Sequence, residues 1–327
     1  MTAGTVARAL WYVAPGRAEL RAAAVPPPGP GEALVRMTAS GLSRGTERLV
    51  LGGRVPESQW GAMRAPLMAG GFPFPVKYGY AAVGVVEAGP AALLGRRVFC
   101  LHPHQERFVA PAAMCIPVPD GVPDLRAVLA ANMETALNIL WDARPALGER
   151  VLVIGAGVVG LLAAALAGSI PGTEVLLCDT DPARAGLAAA LGTGFAAPAA
   201  VPEGWELVIH ASGNPDGLRL GLERAALEAR IVEASWYGDR PVTLPLGEAF
   251  HARRLQLVSS QVGQVSPAMR GRRSHAERLA LALALLEDAR LDALLAPPVR
   301  FDDVPAALAG LLEGEAIWPC PTILYGE

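Results

Sequence analysis

The stretch Val151-Leu-Val-Ile-Gly-Ala-Gly-Val-Val-Gly160 decides how this chain is read. A β-branched run enters, glycines follow at 155, 157 and 160, and an alanine- and leucine-rich helical segment leaves. Gly155 permits the tight turn out of the strand. Gly157 lets a pyrophosphate approach the backbone with no Cβ in the way, and Gly160 lets the helix pack closely on the strand. The helix starting near Val158 then directs its unsatisfied N–H groups and positive dipole end at the phosphates. The glycine spacing alone is weak evidence. Its context is complete, because Val175-Leu-Leu-Cys-Asp179 supplies the next strand with an acidic residue at its end. A carboxylate there can accept both hydroxyls of an adenosine ribose and repels a 2′-phosphate. No arginine follows immediately, the nearest being Arg184. The motif therefore assigns Gly155, Ala156, Gly157, Val158, Val159, Gly160 and Asp179 to dinucleotide binding, with NAD(H) favoured over NADP(H). Val208-Ile-His-Ala-Ser-Gly213 reads as a later strand and turn of the same site, which adds Ser212 and Gly213. His210 reads as a packed strand residue.

Outward from this centre, strands at 174–178, 207–210, 230–234 and 255–259 alternate with helices at 158–167, 182–191, 215–227 and 276–286. Strands separated by helices of this length imply a parallel sheet covered on both faces. The first third reads differently, as short apolar strands broken by Pro and Gly, with Ala33–Ala39, Tyr78–Glu87 and Arg97–Leu101 as examples. Between Gly52 and Pro75 lies a long apolar-rich segment with Trp60, Met63 and Met68, read as either a lid or substrate wall or an excursion packed on the domain. A chain of 327 residues suits two domains. The expected organisation is α/β, a β-rich first part followed by a doubly wound dinucleotide domain.

A net charge of −3 gives no field to draw a polyanion, so nucleic acid is not an expected partner. The four cysteines lie far apart with no C-x-x-C pair, which supports neither a disulfide framework nor a cysteine-rich zinc site. Residues 1–20 show no basic start followed by an apolar run, and a cytoplasmic protein is the simplest expectation. The apolar run 151–170 is long enough to suggest a membrane span, but its glycines place it in the dinucleotide motif instead.

The order of parts resembles the medium-chain dehydrogenase/reductase superfamily. Ala39-Ser-Gly-Leu-Ser43, Gly79-Tyr-Ala-Ala-Val-Gly-Val-Val-Glu87, the glycine loop and the ending Thr322-Ile-Leu-Tyr325 carry the resemblance. It implies a GroES-like β-barrel substrate domain over 1–122, an inserted Rossmann dinucleotide domain over 123–289, a return to the first domain over 290–327, and hydride transfer. Ser40-Gly-Leu-Ser-Arg-Gly-Thr-Glu47 is similar to the branch that includes bacteriochlorophyllide dehydrogenase. Zinc-dependent members carry a Cys in the first motif and a His-Glu pair after the glycine of the second; Ser43, Tyr80 and Ala81 stand there in this chain. The third ligand position falls on Glu134, and the cysteines of the structural zinc lobe are missing. Catalytic zinc needs three protein ligands and an open position, so no zinc is expected.

Hydride transfer asks the protein to position its reactants and to provide a partner for the substrate oxygen. Without zinc, a hydrogen-bond donor has to stabilise developing alkoxide or enolate charge. Tyr80 and Ser43 occupy the vacated ligand positions and are the natural candidates. Glu134 and Glu47 are candidate proton relays, the bland alternatives being surface and loop carboxylates. His104, which the resemblance brings near the cleft, is a candidate proton shuttle, against an exposed turn. Lys77 could lower the pKa of Tyr80 by its charge, against a plain surface lysine. The leading expectation is a zinc-independent NAD(H)-linked alcohol/ketone or enone oxidoreductase with a small but bulky substrate. Two alternatives stand beside it: a metal enzyme with atypical ligands such as Glu134 and His104, and a dinucleotide-binding sensor that has lost catalysis. A homodimer through the strand 255–259 is a further expectation from the resemblance.

Overall fold

The computed structural model describes residues 5–314 and 318–326. In chain order the strands of the first part are β1 (Thr5–Ala14), β2 (Arg17–Val25), β3 (Glu32–Gly41), β4 (Ala69–Gly70), β5 (Val76–Lys77), β6 (Ala82–Ala88), β7 (Arg97–Cys100), β8 (Arg107–Pro111) and β9 (Ile116–Pro117). Helix α1 (Arg44–Leu51) follows β3, and α2 (Asp124–Ala127) and α3 (Ala130–Ala143) follow β9. The middle alternates: β10 (Arg150–Ile154), α4 (Val158–Gly168), β11 (Glu174–Cys178), α5 (Ala185–Ala190), β12 (Gly194–Ala196), β13 (Trp205–His210), α6 (Pro215–Arg224), β14 (Ala225–Glu233), β15 (Gln256–Ser259) and α7 (His275–Leu285). The chain ends with β16 (Val299–Arg300), α8 (Val304–Glu313) and β17 (Thr322–Leu324).

Two compact units result, 1–131 with 279–327, and 132–278. In the second unit every strand pair is parallel, and the order is β12-β11-β10-β13-β14-β15. Counted from β10, that is the 3-2-1-4-5-6 order of a doubly wound dinucleotide fold, whose ligand crevice opens at the carboxyl ends of the strands on either side of the order reversal. Here those strands are β10 and β13. The sequence explains the centre: Val151 to Ile154 are buried, as a strand covered on both faces requires. Leu161, Leu162, Ala163, Ala164 and Ala167 of α4 are buried too. The apolar run 151–170 is thus a core strand, a glycine turn and a core helix. No helix among the described residues is long and apolar enough to cross a membrane.

The first unit is antiparallel for the most part. Its larger sheet runs β16-β17-β3-β6-β7-β9, with β8 also paired to β3, and its smaller sheet runs β2-β1-β5-β4. The C-terminal strand closes the larger sheet, Thr322, Ile323 and Leu324 pairing antiparallel with Gly41, Ser40 and Ala39. Phe301, Leu308 and Ile323 share one apolar cluster with Leu10, Val35, Met37 and Phe108. The junctions of the units lie near, but not at, the sequence boundaries 122/123 and 289/290. Arg126 accounts for part of that offset: it donates to Asp292 at 2.7 Å and to the carbonyls of Leu286 and Glu287 at 3.3 Å.

Two local readings change, and a third takes one of its two alternatives. The strand expected over Tyr78–Glu87 begins only at Ala82, because Gly79 takes φ +125°, where a Cβ would lie 2.7 Å from His104 Nε2. The helix expected over Pro215–Leu227 ends at Arg224, and β14 starts at once with Ala225 buried against Trp205. The segment 52–75 packs on the core of the first unit: Met68 is buried, Trp60 and Met63 lie against the core, and Tyr78 Oη donates to the Met63 carbonyl at 2.9 Å.

Candidate active site

In the second unit the turn after β10 behaves as its glycines require. Gly155 has φ +106°, and a Cβ there would stand 2.7 Å from Ser212 Cα and N. A Cβ on Gly160 would stand 1.8 Å from the Gly155 carbonyl oxygen. Gly157 is different: a Cβ on it would meet nothing within 4 Å, so the protein's own packing does not demand glycine there. Gly157 caps α4 with no side-chain hydrogen bond, which leaves the first-turn N–H groups of Val158 and Val159 without a side-chain acceptor from the cap. Asp179 sits at the tip of β11 and is tied to the turn. Its Oδ2 accepts from Ala156 N at 2.6 Å and its Oδ1 from Asp181 N at 2.9 Å. Arg184 is ion-paired with Asp181 at 3.1 Å. Gly213, with φ +67°, turns the chain after Ser212.

His210 is not merely packed. It is fully buried on β13, its Nδ1 lies 2.8 and 3.0 Å from the two carboxylate oxygens of Glu233, and its Nε2 lies 2.6 Å from Ser212 Oγ. Burial alone would raise the Glu233 carboxyl, but the hydrogen bond from His210, with further hydrogen bonds from Ser235, holds it below its ordinary value. The spacing of His210 and Ser212 was visible in the sequence, since alternate strand residues share a face; the partner on β14 was not.

In the first unit the structure gathers Ser43, Glu47, Tyr80 and His104. Glu47 is no solvated loop carboxylate: it lies on α1, 1% exposed, and takes three donors. Tyr12 Oη approaches Oε2 at 2.5 Å, His104 Nε2 approaches Oε2 at 3.0 Å, and Ser43 N donates to Oε1 at 2.8 Å. Nor does His104 sit on an exposed turn; it is fully buried, with Nδ1 2.8 Å from Ser40 Oγ, which lies 3.0 Å from Tyr325 Oη. A His104 tautomer that donates from Nε2 to Glu47 accepts at Nδ1 from Ser40. Tyr12, Ser40 and Tyr325 went unread in the sequence, because only the pairing of β17 with β3 brings Tyr325 to Ser40.

Tyr80 is half-buried, and its phenol is pushed up to about 12: burial dominates, hydrogen bonds from Ser43 and Thr46 oppose it, and the Glu47 charge adds to it. The expected effect of Lys77 is therefore corrected. Lys77 donates to Gln105 Oε1 at 2.6 Å, and burial lowers its own pKa. Glu134 belongs to the second unit. Arg278 Nε donates to it at 3.0 Å, both residues being buried, and burial raises the Glu134 carboxyl despite that partner.

These positions test the fit of a zinc ion. Ala81 offers no ligand atom, and a guanidinium already occupies the Glu134 carboxylate. Among the described residues no three His, Cys, Asp or Glu side chains form a group that could hold a metal. The residues present do not fit the group.

His102 illustrates the polarity of this core. Its ring stacks on Phe108 at 3.7 Å, its Nδ1 donates to the Pro103 carbonyl at 2.7 Å, and burial first, then the charge of Lys77, brings it down to about 3. The folded pKa lies below the unfolded one, so between these values the unfolded chain binds more protons and stability rises with pH. Stability is expected to fall by up to about 1.4 kcal/mol per pH unit from pH 6.5 downward. Urea midpoints across that window should follow this slope, and His102→Gln should flatten it.

The parallel sheet in 3-2-1-4-5-6 order, with a glycine turn and an acidic strand end, defines a dinucleotide-type fold joined to an antiparallel β unit. No protein-family model matches the chain. An L-threonine 3-dehydrogenase of Deinococcus deserti is 31% identical over 120 residues, covering 36% of this chain and 34% of that protein. The chain thus matches about a third of that relative's length. A 2-desacetyl-2-hydroxyethyl bacteriochlorophyllide A dehydrogenase of Cereibacter sphaeroides is 29% identical over 244 residues, covering 68% and 71%. An alcohol dehydrogenase of Escherichia coli CFT073, complexed with NADH, superposes with TM-score 0.79 at 18% identity, covering 98% of this chain and 100% of that one. A zinc-binding dehydrogenase fold from Sinorhizobium meliloti 1021, bound to NADP, superposes with TM-score 0.79 at 18% identity, covering 98% and 99%. The chain thus has the two-unit fold of these dehydrogenases, a GroES-like unit and a Rossmann unit, and is similar in sequence to the relatives named.

Proposed function

We propose that the chain is a zinc-independent, NAD(H)-linked oxidoreductase that moves hydride between nicotinamide and an alcohol/ketone or enone substrate. The observation that carries the reading is the glycine turn with Asp179 hydrogen-bonded to Ala156 at its mouth. A bound dinucleotide supplies the hydride chemistry. Gly155, Ala156, Gly157, Val158, Val159 and Gly160 would hold its pyrophosphate, with Ser212 and Gly213 beside them. Asp179 would take the adenosine ribose hydroxyls. NAD(H) is favoured over NADP(H) because that carboxylate repels a 2′-phosphate, while the nearest cation, Arg184, is committed to Asp181.

Tyr80 and Ser43 supply the donor for the substrate oxygen. With its pKa near 12 the phenol stays protonated throughout the working range, so it donates a hydrogen bond and is not a base at neutral pH. Glu47 and His104 hold the N-terminus of α1, and hence Ser43, in place. Glu134 serves as a structural ion pair. Tyr80→Phe should lower kcat roughly a hundredfold while NADH affinity stays within about twofold. Unchanged turnover would remove Tyr80 from the reaction.

The test of the whole reading is titration with NADH and NADPH on protein whose metal content has been measured. NADH binding tighter than NADPH, at well under one zinc per chain, supports it. One zinc per chain overturns the metal-free part, and binding of neither nucleotide overturns the cofactor. A sensor that binds NADH without turnover is the second reading, favoured by the loss of ligand atoms at Ala81. A homodimer is proposed through β15, an edge strand whose Gln256, Leu257 and Ser259 are exposed. Light scattering at micromolar concentration that shows a monomer excludes it. The small-molecule substrate and a cytoplasmic setting complete the proposal.

A further inference from the structure

We propose that Ser212 is a hydrogen-bond acceptor for the nicotinamide half of the dinucleotide, and that His210 and Glu233 are positioning residues that fix this direction. The inference rests on the cofactor reading above and deepens it. Three features of the second unit place Ser212 at the crevice. It follows β13, one of the two strands flanking the order reversal, and it is exposed. It abuts the glycine turn so closely that a Cβ on Gly155 would stand 2.7 Å from its Cα and N. Its hydroxyl is the outer end of a chain of hydrogen bonds whose inner members are covered.

The direction of that chain follows from its inner end. Glu233 is an acceptor: Ser235 N donates to Oε1 at 2.7 Å and Tyr237 Oη to Oε2 at 3.0 Å. Facing this carboxylate, His210 Nδ1 has to carry the proton. A neutral imidazole then has a bare Nε2, and Ser212 Oγ, 2.6 Å away, donates to it. The only other acceptor in reach of that hydroxyl among the hydrogen bonds described is the Asn214 carbonyl at 3.5 Å, far longer. One lone pair of Oγ accepts from Asn214 N at 3.2 Å, and the other is left for a ligand.

The packing protects this arrangement. A Cβ on Gly217 would stand 2.8 Å from both His210 Nε2 and Ser212 Oγ, so α6 covers the bond at a distance only glycine allows. Ser235 closes the other side, its Oγ accepting from Gly213 N at 3.0 Å. An exposed serine held by a buried, carboxylate-fixed imidazole presents an acceptor to a neutral O–H or N–H donor and turns a bare anion away. In the nicotinamide half such donors are the ribose hydroxyls and the carboxamide NH2.

The test is NADH titration by fluorescence on wild-type protein and Ser212→Ala, with ADP-ribose and AMP as further probes. Ser212→Ala should weaken NADH roughly three- to tenfold and leave AMP, which has only the adenosine half, unchanged. An equal loss for ADP-ribose identifies a ribose hydroxyl as the donor, and a loss confined to NADH identifies the carboxamide. Unchanged NADH affinity overturns the inference, whereas wild-type protein that binds no NADH overturns the cofactor reading instead. The positioning role has its own readouts. Imidazole nitrogen shifts should show His210 protonated at Nδ1 and bare at Nε2; the opposite tautomer overturns it. In a Glu233→Gln background the effect of Ser212→Ala should shrink below about twofold, the double-mutant cycle cancelling the change in local charge. An undiminished effect would show that Glu233 does not act through Ser212.

Discussion

Gly160→Ala is expected to cost the protein about 3 kcal/mol of stability and at least tenfold in NADH affinity. The new methyl group would stand 1.8 Å from the Gly155 oxygen and 3.1 Å from its carbon. Both atoms are backbone, so no flexible side chain can yield, and either α4 or the turn has to move. If the turn moves, Ala156 N leaves Asp179, and the two elements that would hold pyrophosphate and ribose separate. Gly157→Ala is the control that isolates the ligand. No atom lies within 4 Å of the added carbon, so stability should change by less than about 0.5 kcal/mol. Affinity should nevertheless fall roughly tenfold, because the methyl group enters the space a pyrophosphate needs. Melting temperature and nucleotide titration on both variants separate the two roles. A Gly157→Ala protein that binds NADH like the wild type would show that no phosphate approaches there.

The contrast also shows what the sequence could tell. Glycine spacing, strand before and helix after are local, and they led to the parallel sheet and the turn, though not to the strand order. Hydrogen bonds between distant residues are not local. Glu47 and His104 read as loop residues because nothing in their neighbourhoods reveals Tyr12, Ser40 and Tyr325, which antiparallel pairing delivers. Gly79 was counted as a strand residue although its positive φ, next to the His104 ring, is what delays β6 to Ala82. The influence of Lys77 on Tyr80, one of two readings of that lysine, fails for a related reason. Lys77 is three residues away in sequence, but its ammonium serves Gln105, so burial decides the phenol. Glu134 shows the same limit most plainly, since its partner Arg278 follows a stretch of chain whose course no periodicity describes.

That partner makes the second large prediction. Arg278→Leu should destabilise the protein by about 3–5 kcal/mol, because it strands a buried carboxylate. Arg278 is 2% exposed and donates to Glu134, to Asn138 Oδ1 at 2.7 Å, and to the carbonyls of Val262 at 2.6 Å and Gln264 at 3.2 Å. Leucine fills part of the volume but replaces none of these donors. Burial raises the Glu134 carboxyl even with the guanidinium present, and without it the rise grows. A carboxyl whose folded pKa exceeds its unfolded value binds its proton more tightly when folded, so stability is kept at low pH and lost as pH climbs through the folded pKa. The variant should therefore lie closer to wild type near pH 5 than near pH 8. Adding Glu134→Leu should recover much of the loss, since an apolar pair avoids the unpaired charge. Thermal melts at the two pH values, for the single and double variants, measure all of this. They also bear on the metal, because a carboxylate freed from its arginine is the most favourable ligand this position could offer. The ion-pair reading expects added zinc to leave the melting temperature of Arg278→Leu unchanged, and a zinc-dependent rise would return Glu134 to the metal ligands.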